Sequence, residues 1–214
     1  RARRCDSVTF YLLQFVTGLA SACSLFLVAS GLSIIFGVTR IVNFAHGALY
    51  MLGAYVSYSA IDKLGPALGF WPALLIGCLA VAAIGALIEM ILLRRIYDAP
   101  ELFQLLATFG VALMVEDLVL LIWGPDELLG PRAPGFKGAV SLFGRPFPSY
   151  DLLLIALAPA VLVALWLLFR RTRFGVLVRA ATQDREMTAA LGVNQKALFT
   201  AVFALGAFLA ALGG

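Results

Sequence analysis

What most constrains this chain is its succession of apolar runs. Residues 8–36, 48–60, 71–93, 102–123, 151–169 and the stretch opening at Lys196 form six hydrophobic segments with little polar sequence between them. Most approach the ~20 residues that a helix needs to cross hydrocarbon. None shows the strict apolar–polar alternation of a membrane β-barrel, so the spans are helices, which satisfy their own backbone groups in lipid. Composition agrees: 62% of residues are apolar, 13% are charged, and mean hydropathy is +0.98. The expected fold is an all-α integral membrane protein, a polytopic transmembrane helix bundle forming one domain over residues 1–214.

Arg1, Arg3 and Arg4 precede the first run, as in a signal peptide. The run is too long for a signal core and has no small-residue cleavage site followed by a polar mature domain, so it reads as a span. Cys5, Cys23 and Cys78 are odd in number and far apart, and His46 is the only histidine. Neither a disulfide framework nor a zinc site is readable. No phosphate-cradling G-x-x-x-x-G-K-[ST] loop, Ser/His/Asp set or paired carboxylate site is present, which argues against an enzyme and against ATP binding by this chain itself. No cofactor site is expected, and no basic patch interleaved with aromatics points to nucleic acid.

The longest charged stretch, residues 170–194, interrupts the apolar pattern. It opens with Arg170, Arg171 and Arg173 and offers a short amphipathic helix over residues 183–191. Asp184 falls in that helix's first turn, where the dipole favours an acid. Gly192 follows the last turn, where a left-handed cap suits glycine. Met187, Ala190 and Leu191 lie at i, i+3, i+4 spacing and make a small apolar face. A short helix held between two spans cannot bury that face alone. It lies on lipid headgroups or docks into another protein.

Polar residues at membrane depth mark other candidates. Asn43 and His46 lie in a glycine-bounded break over residues 37–47. They read as a broken or re-entrant segment near a translocation route, as a hydrogen-bond station between helices, or as a cytoplasmic turn edged by Arg40. Glu89 lies one turn before Arg94 and Arg95 and is expected to snorkel or pair with an arginine. Glu116 and Asp117 are adjacent, about two turns before Trp123, and point about 100° apart. They face a pathway and an outer interface, or pair with a loop arginine. Residues 62–70 read as a short Gly/Pro loop. Residues 124–150, with five of the nine prolines, read as an irregular external loop. Pro159 is a candidate kink.

Arginines near span ends mark the cytoplasmic side. Arg94, Arg95 and the 170–185 arginines fall there together, with two crossings between. If Arg40 is also inside, the N-terminal arginines lie outside. If they are inside, the region around Asn43 must double back. An irregular element over residues 37–47 is the expected resolution.

Two stretches carry a resemblance. Glu186 followed six residues later by Gly192, then Val193 and Asn194, resembles the EAA-type coupling motif of ABC-importer permeases, with Met187 and Thr188 in place of its alanines. GLSIIFGVTRIVNFAHGALYMLGAYVSY, residues 31–58, with its Asn43-Phe44-Ala45-His46-Gly47 core, is similar to the branched-chain amino acid permease family of the LivH type. The family often has Glu where Ala48 stands, and an amide pair where Glu116 and Asp117 stand. Members of that family run beyond the equivalent of residue 214, so the chain reads as partial.

The resemblance implies an inner-membrane permease subunit that moves branched-chain or other small amino acids by alternating access. Its partners would be a second, LivM-like permease subunit, two ABC ATPase subunits holding ATP and Mg, and a periplasmic solute-binding protein. Glu186 would be the main polar contact with the ATPase and Gly192 the turn out of the helix, with Met187 on the docking face. Arg179 and Arg185 are either salt-bridge partners of the ATPase or part of a solvated face. A permease for urea or short amides is the alternative within the family. Outside it, a secondary transporter would show an inverted repeat with matched broken helices, and only one break is seen.

Overall fold

The computed structural model describes residues 2–97, 99–126, 128, 130, 133–136, 138–142 and 145–214. Helix α1 runs over Ala2–Thr39 and α2 over Ala45–Leu68. Helix α3, Phe70–Ile96, contains a π-helical turn at Glu89–Leu93. Helix α4 is Glu101–Trp123. An antiparallel hairpin of β1, Ala139–Leu142, and β2, Arg145–Pro148, pairs Ala139 with Pro148 and Leu142 with Arg145. Helix α5, Ser149–Arg171, leads into two short helices, α6 at Arg173–Gln183 and α7 at Arg185–Ala190. Helix α8 spans Gln195–Gly213.

Helices α1, α3, α4, α5 and α8 are each long and apolar enough to cross a membrane. Their outer faces carry bare hydrophobics, among them Leu106, Leu121, Leu162 and Trp166. Water would penalise such a surface, and lipid or a partner helix does not. The sixth crossing is α2. Its tyrosines, serines and His46 make it less apolar, and its 24 residues reach about 36 Å at 1.5 Å per residue. It packs on α3, α4 and α8, and its His46 and Ser57 are buried, while Tyr50, Asp62 and Lys63 stay exposed.

Helix α8 is the hub, packed on α1, α2 and α3. Small residues let it approach closely. A Cβ on Gly53 of α2 would stand 2.4 Å from the Ala211 Cα, and one on Gly206 would stand 2.5 Å from Ile35 of α1. Around this seam Leu49, Val81, Phe203, Ala207 and Ala210 are fully enclosed. Phe203 fills the space that the small neighbours leave.

Several sequence expectations need correction. The chain does not double back over residues 37–47. Helix α1 continues through Thr39 and α2 starts at Ala45, leaving a tight turn in which Arg40 has φ +58. The Arg40 N–H still bonds the Phe36 carbonyl at 2.8 Å, so the helical ladder runs on into the turn. Residues 62–68 are helix rather than loop. Pro66 sits in the last turn, and Gly69, at φ +87, makes the reversal. The loop over residues 124–150 contains the β1–β2 hairpin, whose Pro146 and Pro148 lie on a strand of a two-stranded ribbon that tolerates missing donors. The helix expected over residues 183–191 is shorter, Arg185–Ala190, and a separate helix over Arg173–Gln183 precedes it.

The turn also fixes topology. Arg40 donates to the Thr182 carbonyl at 3.3 Å, and Arg185 donates to the carbonyls of Val38 and Thr39 at 2.7 and 2.8 Å. Arg40, Arg94, Arg95, Arg170, Arg171, Arg173, Arg179, Arg185 and Lys196 therefore gather at one end of the bundle, the cytoplasmic end by the positive-inside rule. The start of α1 lies at the other end, and Arg1 itself is outside the described residues.

Candidate functional site

The cytoplasmic end is built from the segment between α5 and α8. Thr172 caps α6 by accepting the Gly175 N–H at 3.3 Å. The bend is tight enough that a Cβ on Gly175 would collide with the backbone of Phe169. Arg179 donates to the Phe169 carbonyl across the same bend. Val178 and Ala181 are buried against Val38, Leu198 and Val202, which seats α6 beneath α1 and α8.

Asp184 is the N-cap of α7, just ahead of the first turn in which the sequence placed it. Its Oδ1 accepts the Met187 N–H at 2.9 Å. The exit is a Schellman motif. Gly192, at φ +82, donates to Ala189 at 2.9 Å, and Val193 donates to Thr188 at 3.3 Å. The buried Thr188 hydroxyl donates to the Asp184 carbonyl at 2.6 Å, and Gln195 donates to the Arg185 carbonyl. Arg185 points inward. Besides its two carbonyls on α1, its guanidinium stands 5.1 Å from the Phe199 ring centroid. The helix is thus tied down from behind, while its front is bare: Met187 is 60% exposed, Leu191 is 77% exposed, and Glu186 is exposed. Beside it opens a polar cleft of about 410 Å³ lined by Arg40, Tyr97, Glu101, Gln104, Asp184 and Glu186, among others.

Asn43 and His46 lie just above this end, and both are buried. Asn43 Oδ1 accepts the Ala45 N–H at 3.1 Å, and the ring of His46 bonds the Val28 carbonyl of α1 through Nε2 at 3.0 Å. Since a carbonyl only accepts, Nε2 carries a proton, and in the neutral ring Nδ1 is the acceptor. That Nδ1 and the Asn43 Nδ2 have no hydrogen-bond partner among the described residues. Glu116 and Asp117 are elsewhere. Val111, Val115 and Val119 turn inward from α4, which leaves both acids on its exposed side. Thr108 bonds the Val42 carbonyl at 3.4 Å and Trp123 bonds Ser59 at 2.7 Å, so α4 runs alongside α2 with the acids in its outward half. The two polar pairs do not form a single site. At the outward end a mainly apolar groove of about 840 Å³ is lined by Tyr55, Tyr58, Trp71, Tyr150, Leu154 and Phe208 among others.

Sequence reasoning underrated one cluster. Glu89 is fully buried and does not snorkel. Its carboxylate accepts from Arg94 at 3.2 Å, from the Tyr97 hydroxyl at 2.9 Å and from the Thr200 hydroxyl at 2.5 Å. Burial and the neighbouring carboxylate raise the Tyr97 hydroxyl well above the usual tyrosine range, so it stays protonated and donating. The side-chain amide of Gln104 is also buried and caps α3, donating to Ile96, Tyr97 and Ala99. The pairing of Glu89 with an arginine was legible from the sequence. Thr200 was not, because it lies 111 residues away. Among the described residues no cluster of three metal-ligating side chains occurs.

Comparison with known proteins places these features in context. A family model described as "branched-chain amino acid transport system / permease component" matches residues 14–214. The high-affinity branched-chain amino acid transport system permease protein BraD of Pseudomonas aeruginosa is 30% identical over 211 residues, 94% of this chain and 69% of that protein. LivH of Escherichia coli, a permease of the same description, is 26% identical over 218 residues, 98% of this chain and 71% of that protein. A probable branched-chain amino acid transport permease protein LivH of Methanocaldococcus jannaschii is 28% identical over 181 residues, 79% of this chain and 54% of that protein. No solved structure matches.

Proposed function

The chain belongs to the branched-chain amino acid transport system permease family, and from that premise we propose that it is the multi-pass, inner-membrane permease subunit of an ABC importer for branched-chain amino acids. BraD and LivH are named for that transport system. The observation that carries the reading is the state of α7. A six-residue helix cannot persist alone in water. Here it is capped at both ends and fastened to α1 and α8 from behind, while Met187 and Leu191 stand bare on the cytoplasmic side.

The partner that covers this face is an ABC ATPase subunit, one of a pair that binds ATP and Mg and hydrolyses the nucleotide; this chain contributes no catalytic residue or cofactor site. Glu186 makes the polar contact with the ATPase and Met187 the apolar one, with Gly192 turning the chain back to the bundle. Arg185 holds the coupling segment to the bundle through carbonyls of α1, while Arg179, bonded to Phe169 yet exposed, stays a candidate salt-bridge partner of the ATPase. Residues 170–194 are thus a coupling segment within one transmembrane domain. A second, LivM-like permease subunit completes the pathway, and a periplasmic solute-binding protein delivers the amino acid. The outward groove, with its apolar and aromatic lining, suits an apolar side chain. Asn43, His46, Glu116 and Asp117 are the pathway candidates. The exposed acids of α4 fit a surface that faces water or a second subunit, because a carboxylate facing lipid is costly.

The test is reconstitution of the full-length chain with its ATPase, partner permease and receptor. Glu186→Ala is expected to leave membrane insertion intact and to lower receptor-stimulated ATPase activity by about 10-fold or more, the scale of a lost charge-assisted hydrogen bond. Normal stimulation in that variant, or a chain that purifies from mild detergent without any ATPase, overturns the reading.

A further inference from the structure

Helix α7 moves the bundle only if its displacement is passed on, and the structure contains a candidate joint. The π-helical turn at Glu89–Leu93 lies where α3 nears the cytoplasmic end. In a regular α-helix, residues five apart point about 140° away from each other. The wider turn brings Glu89 and Arg94 onto one side, where they pair at 3.2 Å. Such turns occur mostly as single insertions and often mark functional sites. Both side chains then grip the first turns of α8. Arg94 donates to the Thr200 hydroxyl at 2.7 Å and to the Lys196 carbonyl at 3.4 Å, while Thr200 donates to Glu89. Tyr97 completes the carboxylate shell and stacks edge-on against Phe199 of α8, with ring centroids 5.6 Å apart. Phe199 is the ring on which Arg185 of α7 rests.

We infer that Glu89, Arg94, Tyr97 and Thr200 are positioning residues that transmit motion of the coupling helix into α3, with Phe199 as the bearing between α7 and the cluster. An ion pair buried on its carboxylate side is poor evidence for stability. It is well suited to fix one relative register of two helices and to release it as a unit. Arg94 Nε is buried without an acceptor among the described residues, so the pair is one bond short of complete and a second arrangement can claim that donor. The inference rests on the ABC-importer reading above, since without an ATPase nothing drives α7.

The experiment uses the complete importer in proteoliposomes, with radiolabelled leucine taken up and ATP hydrolysed measured on the same vesicles. Tyr97→Phe keeps the ring against Phe199 and removes one donor to Glu89. Thr200→Val keeps the shape and removes another. Glu89→Gln removes the charge. Loss of folded or assembled complex lowers uptake and hydrolysis in proportion and leaves their ratio unchanged. A broken joint lowers the ratio. The expected result is a fall in leucine transported per ATP of about 5-fold or more in Tyr97→Phe and Thr200→Val, the lower end of ordinary allosteric coupling, and a larger fall in Glu89→Gln. Wild-type ratios in Tyr97→Phe and Thr200→Val overturn the inference, whatever Glu89→Gln does to assembly. Failure of the wild-type complex to couple leucine uptake to ATP counts instead against the importer reading.

Discussion

At the scale of single residues, what separates the polar groups is whether their partners lie near in sequence. Asp184 and Gly192 act through their own helix, so their capping roles follow from composition and spacing alone. Arg185 and Glu89 act through residues 147 and 111 positions away, and no local pattern announces that. Tyr97 gives a direct check on the buried cluster. Its neutral form is favoured in the fold, so its contribution is fully present below the ordinary tyrosine value of about 10 and is lost only as pH rises through its elevated folded value. Spectrophotometric titration in detergent is expected to show the same phenolate signal up to pH ~11 in wild type and Tyr97→Phe. A signal smaller by one tyrosine in the variant would show that Tyr97 titrates normally and is not held by Glu89.

At the scale of elements, the helices were readable from hydropathy and their ends less so. Apolar runs show where a chain prefers lipid, but helices continue past them wherever polar ends reach water or a neighbour. Helix α2 extends to Leu68 and α1 to Thr39 for this reason. The seam around α8 depends on side chains that are absent. A Cβ on Gly206 already meets Ile35 at 2.5 Å and the Gly31 carbonyl oxygen at 2.9 Å. Gly206→Leu is therefore expected to cost about 1–3 kcal/mol through overpacking, read as a lower thermal midpoint of the detergent-solubilised chain. An unchanged midpoint would mean that α1 and α8 are free to separate, against the close contact described.

At the scale of the whole molecule, six helices cross and the start of α1 lies opposite the coupling segment. This departs from the charge rule at Arg3 and Arg4 and at the outward Lys63 and Arg145, and obeys it at the cations gathered around Arg40. The arrangement is testable in a variant without Cys5, Cys23 and Cys78. Ser7→Cys is expected to react with an impermeant maleimide from the periplasmic side only, and Gln183→Cys only after the cytoplasmic face is opened. Labelling of both from the same side would require an even number of crossings between them and would restore a doubling-back near Asn43.

The sequence by itself determined the helical membrane class, the family, and the presence of a short capped helix between the fifth and sixth apolar segments. Each depends on hydropathy or on residues within one turn of each other. Only the tertiary structure decided that α2 is an interior helix and that the turn at Arg40 adjoins the coupling segment. It also decided that Glu89 is enclosed by groups from two helices. Those facts depend on which helices meet, and that is set by close contacts such as Gly53 with Ala211 and Gly206 with Ile35. The partners in such contacts are apolar and distant in sequence, so nothing in the local pattern distinguishes them from the lipid-facing residues beside them.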